Sequence, residues 1–212
     1  MQPLDLVKKY CPEKIRIVPG TMLGYGFHGS VYDISGEPDK VIKISLITEC
    51  MAQSLPVLNF YENVRKVLAL QARHDYIHYV KVFEHELLHS GQRIIHSNVK
   101  QNFILYSAIM EKLMPLSHDE DKLFKTICDA VEAGKSGAHI KKLISEQNNW
   151  LNFNLNRCQI FLDQIERSVI IHRDFQRQNV MKDALGNFKL IDFDFSKIKE
   201  PTYEASRSEC AE

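Results

Sequence analysis

In the run His172-Arg173-Asp174-Phe175-Gln176-Arg177-Gln178-Asn179, an aspartate and an asparagine stand five positions apart. The run lies between two short apolar stretches, Val169-Ile170-Ile171 and Phe188-Lys189-Leu190-Ile191. In a loop between strands both side chains can be aimed into one cleft. Asp174 would accept a proton from an attacking hydroxyl and Asn179 would coordinate a divalent cation. Thirteen residues beyond Asn179, Asp192 follows the second apolar stretch and offers another oxygen ligand. Mg²⁺ prefers such hard ligands and takes only one or two from protein, leaving phosphates and water to complete its octahedron.

Two further features point to phosphate chemistry. Gly24-Tyr25-Gly26-Phe27-His28-Gly29-Ser30-Val31 has the spacing G-x-G-x-x-G-x-V. Dinucleotide-binding folds share the three glycines, but there they open a helix. Here Val31-Tyr32-Asp33-Ile34 leads into a turn and another strand, so the glycines sit at a hairpin tip. Backbone N–H groups can then approach phosphate oxygens closely, although an ordinary glycine-rich turn would read the same way. Lys43 lies centrally in the apolar run Val41-Ile42-Lys43-Ile44. It is either a surface-facing lysine or, in a nucleotide site, the partner of the α- and β-phosphates. In the second case a carboxylate must fix it: Glu62 on the first long helix is the first candidate and Glu49 the second.

The elements that would carry these residues fall into two sets. Ile15–Val18, Val31–Ile34 and Val41–Ile44 read as strands, with a turn over Ser35–Asp39. Residues 58–73 read as an amphipathic helix with Leu58, Tyr61, Val64, Leu68 and Ala72 on its apolar face. Two more strand-like runs cover 79–88 and 102–110. Helices are expected near 119–132, 138–146 and 150–169, the last with a stripe of Leu151, Leu155, Cys158, Leu162, Ile165 and Val169. The expected class is α+β: an antiparallel-sheet first lobe over about 1–113, a reduced helical second lobe over 114–196 and a polar tail over 197–212.

Composition narrows the partners. Among 212 residues, 27 basic and 27 acidic side chains balance, so no global field holds nucleic acid or an anionic membrane. Apolar residues at 44% and charged residues at 25% exclude a disordered chain. The five cysteines are scattered and never form Cys-x-x-Cys, which fits a reducing compartment. With neither a signal peptide nor a membrane span in the sequence, a soluble cytoplasmic protein is expected.

The glycine loop, Val41-Ile42-Lys43, His172-Arg173-Asp174-x4-Asn179 and Asp192-Phe193 together resemble the signature set of the protein kinase superfamily, in the same order, from about residue 20 to 196. The resemblance implies a two-lobed fold with ATP and Mg²⁺ in the cleft between the lobes. Asp174, Lys43 and Asn179 would be catalytic, and Asn179 and Asp192 would hold the metal. Gly24, Gly26, Gly29, Val31, Lys43 and Glu62 would surround the nucleotide. Ile109-Met110-Glu111-Lys112-Leu113 resembles the hinge, with Met110 as gatekeeper and backbone groups of Glu111 and Leu113 meeting adenine. Val31, Ile42 and Met181 would sandwich the ring, although plain core packing explains these apolar residues equally well. The acceptor would be a hydroxyl, with protein serine or threonine favoured over a small molecule. A nucleotide-binding scaffold is the reading from a different class.

The chain also departs from that pattern. Asp194 replaces the glycine of Asp-Phe-Gly, and Gln176 stands where serine/threonine kinases commonly carry lysine. Only 18 residues follow Asp194, and none form Ala-Pro-Glu. The peptide-holding helices are expected to be absent, or supplied by a partner chain that completes the second lobe. Thr202, Tyr203, Ser206 and Ser208 are candidate autophosphorylation sites in the tail.

Two competing motifs carry less weight. His85-Glu86-Leu87-Leu88-His89 is a literal H-E-x-x-H, the zinc hydrolase pattern, which needs a helix and a third ligand. Its surroundings read instead as a hairpin turning at Gly91. Gly134-Lys135-Ser136 lacks the glycine that a Walker A loop needs, because Asp129 is there, and reads as a helix terminus.

Overall fold

The computed structural model describes residues 2–14, 19–26, 29–49, 52, 56–74, 76–95, 99–146 and 152–199. The expected strand over 15–18, Phe27 and His28 at the glycine tip, Leu151 and the four tail hydroxyls lie outside the described residues, as does the side chain of Leu155.

The first half is a five-stranded antiparallel sheet in the order β1-β2-β3-β5-β4. Its strands are β1 (Pro19–Tyr25), β2 (Gly29–Ile34), β3 (Glu37–Thr48), β4 (Val82–Ile94) and β5 (Lys100–Glu111). Period-two alternation along β3 divides the core. Val41 and Ile47 face α2 (Val57–Arg73), while Ile42 and Ile44 face α1 (Pro3–Tyr10). The sequence reading does not foresee α1. Leu6 and Val7 on it are buried against Tyr32, Ile42, Phe103 and Leu105, and Asp5 accepts the Gln2 N–H at 3.2 Å.

On α2, Tyr61, Val64 and Leu68 are buried as expected, joined by Val57 and Val67. Leu58 and Ala72 are exposed instead. They lie at the helix ends, where the sheet no longer covers the same angular face. Gly91 does not turn the chain. It pairs with Phe103 inside β4, and the reversal comes later, where Ile95 N–H bonds Val99 O at 2.9 Å.

The second half contains α3 (His118–Glu132), α4 (Gly137–Glu146), α5 (Asn152–Arg167) and two small antiparallel pairs. One pair joins β6 (Ile170–Ile171) to β9 (Lys197–Ile198), the other β7 (Val180–Lys182) to β8 (Phe188–Leu190). A capping box of Ser117 and Glu120 starts α3. Gly134, at φ 66°, follows its end, as a helix-terminating glycine should. Cys158 and Phe161 of α5 are buried, whereas Val169 beyond it is exposed. Phe124 packs edge-on against Phe161 and Phe188, at 5.7 and 4.9 Å between ring centres. A continuous apolar cluster runs from Val41, Tyr61 and Met110 through Tyr79 and Leu190 to Phe124 and Phe161.

The glycine hairpin closes through Gly26 N–H to Gly29 O at 2.8 Å. A Cβ at Gly29 would stand 2.8 Å from Ile44 O and 3.3 Å from Lys43 Cε, so the hairpin returns directly over the Lys43 stem. Gly29→Ala is therefore expected to destabilise the protein by about 1–3 kcal/mol, the usual cost of overpacking, seen as a lowered melting temperature.

Candidate active site

Register places Lys43 between Val31 of β2 and Ala108 of β5, so all three share one face of the sheet. Its ammonium reaches Asp192 Oδ1 at 2.9 Å and Asp194 Oδ2 at 3.2 Å. Burial on its own would lower this lysine, but the two carboxylates outweigh it and hold the ammonium above its ordinary value. Asp194 is 3% exposed, and its other oxygen accepts the hydroxyl of Tyr106. Burial raises the Asp194 carboxyl, Lys43 pulls it back and Asp192 adds to the rise.

Asp192 has φ 64°, the only non-glycine residue with positive φ among the described residues. A left-handed aspartate is uncommon and costs energy that the surroundings must offset. Ile191 N–H bonds Asn179 O at 2.9 Å, and His172 Nε2 donates to Ile191 O at 2.8 Å. These bonds fix the residue before Asp192 from two sides. Burial lowers His172 from its ordinary value, against the opposing pull of its bond to Ile191 and of the nearby Asp192 and Asp174 carboxylates.

Asp174 sits in a short hydrogen-bonded turn. Asn179 Nδ2 donates to its Oδ2 and to its backbone carbonyl, both at 2.9 Å, and Gln176 Nε2 donates to Oδ1 at 2.6 Å. With the Asn179 nitrogen so engaged, Oδ1 of Asn179 and the Asp192 carboxylate are oxygens of the hard type that Mg²⁺ takes. A cavity of about 710 Å³ opens beside Asp174, with Arg173, Gln176, Asn63, Asp194 and Lys197 in its lining.

Several expected positions change. Glu62 does not hold Lys43: its carboxylate is taken by Arg65 one helical turn on, at 2.8 Å. Glu49 accepts from Asn102. Ile42 lies on the α1 face, away from Lys43, because neighbouring residues of a strand point to opposite sides; Val41 shares the lysine's face. Met110 is buried between Val41 and Val82 on that face, with Leu113 packed at the edge of the same cluster. Met181 is half-buried on β7. Glu111 does more than pass the chain on: its carboxylate accepts Lys81 N–H and the Lys189 ammonium, each at 2.6 Å. A Cβ at Gly24 or Gly26 would meet no atom within 4 Å. The sequence reading gives neither Asp194 nor Tyr106 a part in the site: Tyr106 is not singled out, and Asp194 is noted only as replacing the glycine of Asp-Phe-Gly. The signal for Asp194 was the Asp-Phe-Asp run itself, two residues past the metal-ligand candidate.

His85 and His89 lie on β4, not on a helix, and His89 stacks on Tyr10 at 5.2 Å. That geometry removes the zinc hydrolase arrangement. Among the described residues no helix is long and apolar enough to cross a membrane.

Lys43 thus meets Asp192 and Asp174 meets Asn179, and the two pairs are joined through the bond from Ile191 N–H to the Asn179 carbonyl. Curated proteins similar to the chain are protein kinases. Over 127 residues, 59% of the chain, it is 28% identical to the cAMP-dependent protein kinase catalytic subunit of Dictyostelium discoideum. Over 92 residues, 43% of the chain, it is 26% identical to the serine/threonine-protein kinase ppk18 of Schizosaccharomyces pombe. The matches span 18% and 7% of those relatives' own lengths. No family model matches the chain.

Proposed function

We propose that the protein is a kinase-type phosphotransferase that moves the γ-phosphoryl group of ATP, with Mg²⁺, to a hydroxyl acceptor. The observation that carries this reading is the meeting of Lys43 with Asp192 at 2.9 Å beside the Asp174–Asn179 pair. Phosphoryl transfer asks a protein mainly for positioning and charge neutralisation, and these groups supply both. Lys43 would bind α- and β-phosphate oxygens beneath the glycine hairpin. Asn179 and Asp192 would hold Mg²⁺, which when bound offsets charge on the phosphates. Asp174 would orient the acceptor hydroxyl and take its proton as oxygen bonds to Pγ and the bond to ADP breaks. Serine or threonine of a protein is the favoured acceptor, on the motifs and on the similarity to two protein kinases, one of them a serine/threonine kinase.

A small-molecule acceptor is the second reading. It is favoured by the cavity beside Asp174, where Arg173 and Lys197 could receive an anionic group. Incubation with γ-labelled ATP and Mg²⁺, against a protein library and a metabolite pool in parallel, decides between them. Label is expected in one pool, lost with EDTA and restored by excess Mg²⁺. Binding of ATP with no transfer to either pool would refute the enzyme and leave a nucleotide-binding scaffold.

A further inference from the structure

We infer that Asp194, not a residue of α2, is the carboxylate that positions Lys43, so the lysine is anchored from the loop that also carries Asp192. The catalytic consequence rests on the function proposed above; the anchoring is a matter of geometry. Lys43 has two carboxylate partners, and they are not equivalent. Asp192 is also the metal-ligand candidate, so a cation that claims its oxygens would weaken its hold on the ammonium. Asp194 is buried and would keep its hold, at 3.2 Å.

The position of Asp194 is built in. Tyr106 donates its hydroxyl to the second carboxylate oxygen and lies two residues along β5 from Ala108, the cross-strand partner of Lys43. The two aromatic neighbours of Asp194 pin the loop on either side. Phe193 is buried edge-on against Tyr79 and His172, at 5.5 and 5.6 Å, and Phe195 meets Phe60 at 5.7 Å. Glu62 offers no comparable support, with a side chain 42% exposed and paired to Arg65. The charge count agrees: one ammonium between two carboxylates leaves a net negative site suited to a cation. It follows that displacing α2 would not release Lys43, and that the residue in place of the family's glycine is a positioning residue.

The test uses the full chain labelled with ¹⁵N-lysine. The Lys43 ammonium, assigned by its loss in Lys43→Met, is expected as a slowly exchanging signal that persists in Glu62→Gln and disappears in Asp194→Asn. For turnover, Asp194→Asn should raise KM for ATP about tenfold, the scale of one lost charge-assisted contact, while Glu62→Gln stays within about twofold. Partial unfolding would instead lower kcat at unchanged KM. Should Asp194→Asn fail to fold, Tyr106→Phe removes one donor to Asp194 and keeps the shape; faster exchange of the Lys43 signal is then expected. A Lys43 signal lost in Glu62→Gln, or indifferent to both Asp194→Asn and Tyr106→Phe, overturns the inference. A wild-type protein without phosphotransfer but with an Asp194-dependent Lys43 signal would sink the proposed function and leave the anchoring in place.

Discussion

Asp174→Asn is expected to slow phosphoryl transfer by about 10²–10⁴-fold, the range a general base contributes. The substitution keeps the size of the side chain and removes its capacity to take a proton. Asp174 accepts from both Asn179 and Gln176, and an asparagine has one oxygen to offer them. One of those bonds is lost, at a stability cost of about 1–3 kcal/mol. The protein should therefore melt a few degrees lower yet bind ATP and Mg²⁺ as before. Initial rates with labelled ATP, paired with a thermal melt, check both parts. Unchanged transfer in the folded variant would remove Asp174 from the mechanism.

Lys43→Met should be equally damaging to transfer, by about 10²–10³-fold, the usual loss when one preorganised charge is removed. Here stability also suffers. The ammonium lies between Asp192 and Asp194, and removing one partner from a buried ion pair costs about 3–5 kcal/mol. Part of that cost is avoidable by protonation. Asp194 already sits above its ordinary value through burial, and without Lys43 it rises further. A carboxyl raised in the folded state binds more protons there than in the unfolded chain. Its stabilising share is present in acid and is lost as pH rises through the folded value. Lys43→Met should thus melt at a higher temperature near pH 5 than near pH 8, and wild type should show less of this difference. A flat pH dependence in the variant would mean that Asp194 is not the group left unpaired.

How far the sequence was legible depended on whether a local rule governed the residue. The β2 and β3 hairpin follows from alternation, α2 from 3.6-residue periodicity and α3 from a run of helix formers, and they stand within a few residues of where those rules put them. Ile42 adjoins Lys43 on a strand and so points to the opposite face, whereas Val41, two residues from the lysine, shares its face. Gly91 reads as punctuation in sequence, yet a long strand tolerates a glycine where its partner strand supplies the pairing. The eight residues of α1 carry too little periodic signal of their own and are held by burial against the sheet. Asp194 is a different case. Its role depends on Tyr106, 88 residues away, and on a lysine 151 residues away, and no local pattern encodes that meeting.

The bridge from Lys189 to Glu111 has a consequence for how the molecule comes apart. Glu111 ends β5 and Lys189 sits in β8, and close by Met114 and Lys182 exchange backbone hydrogen bonds at 2.7 and 2.9 Å. The chain crosses from sheet to helices once there, but it is fastened at several points. Heating should consequently dissolve both halves together, as a single calorimetric peak whose van't Hoff and measured enthalpies agree.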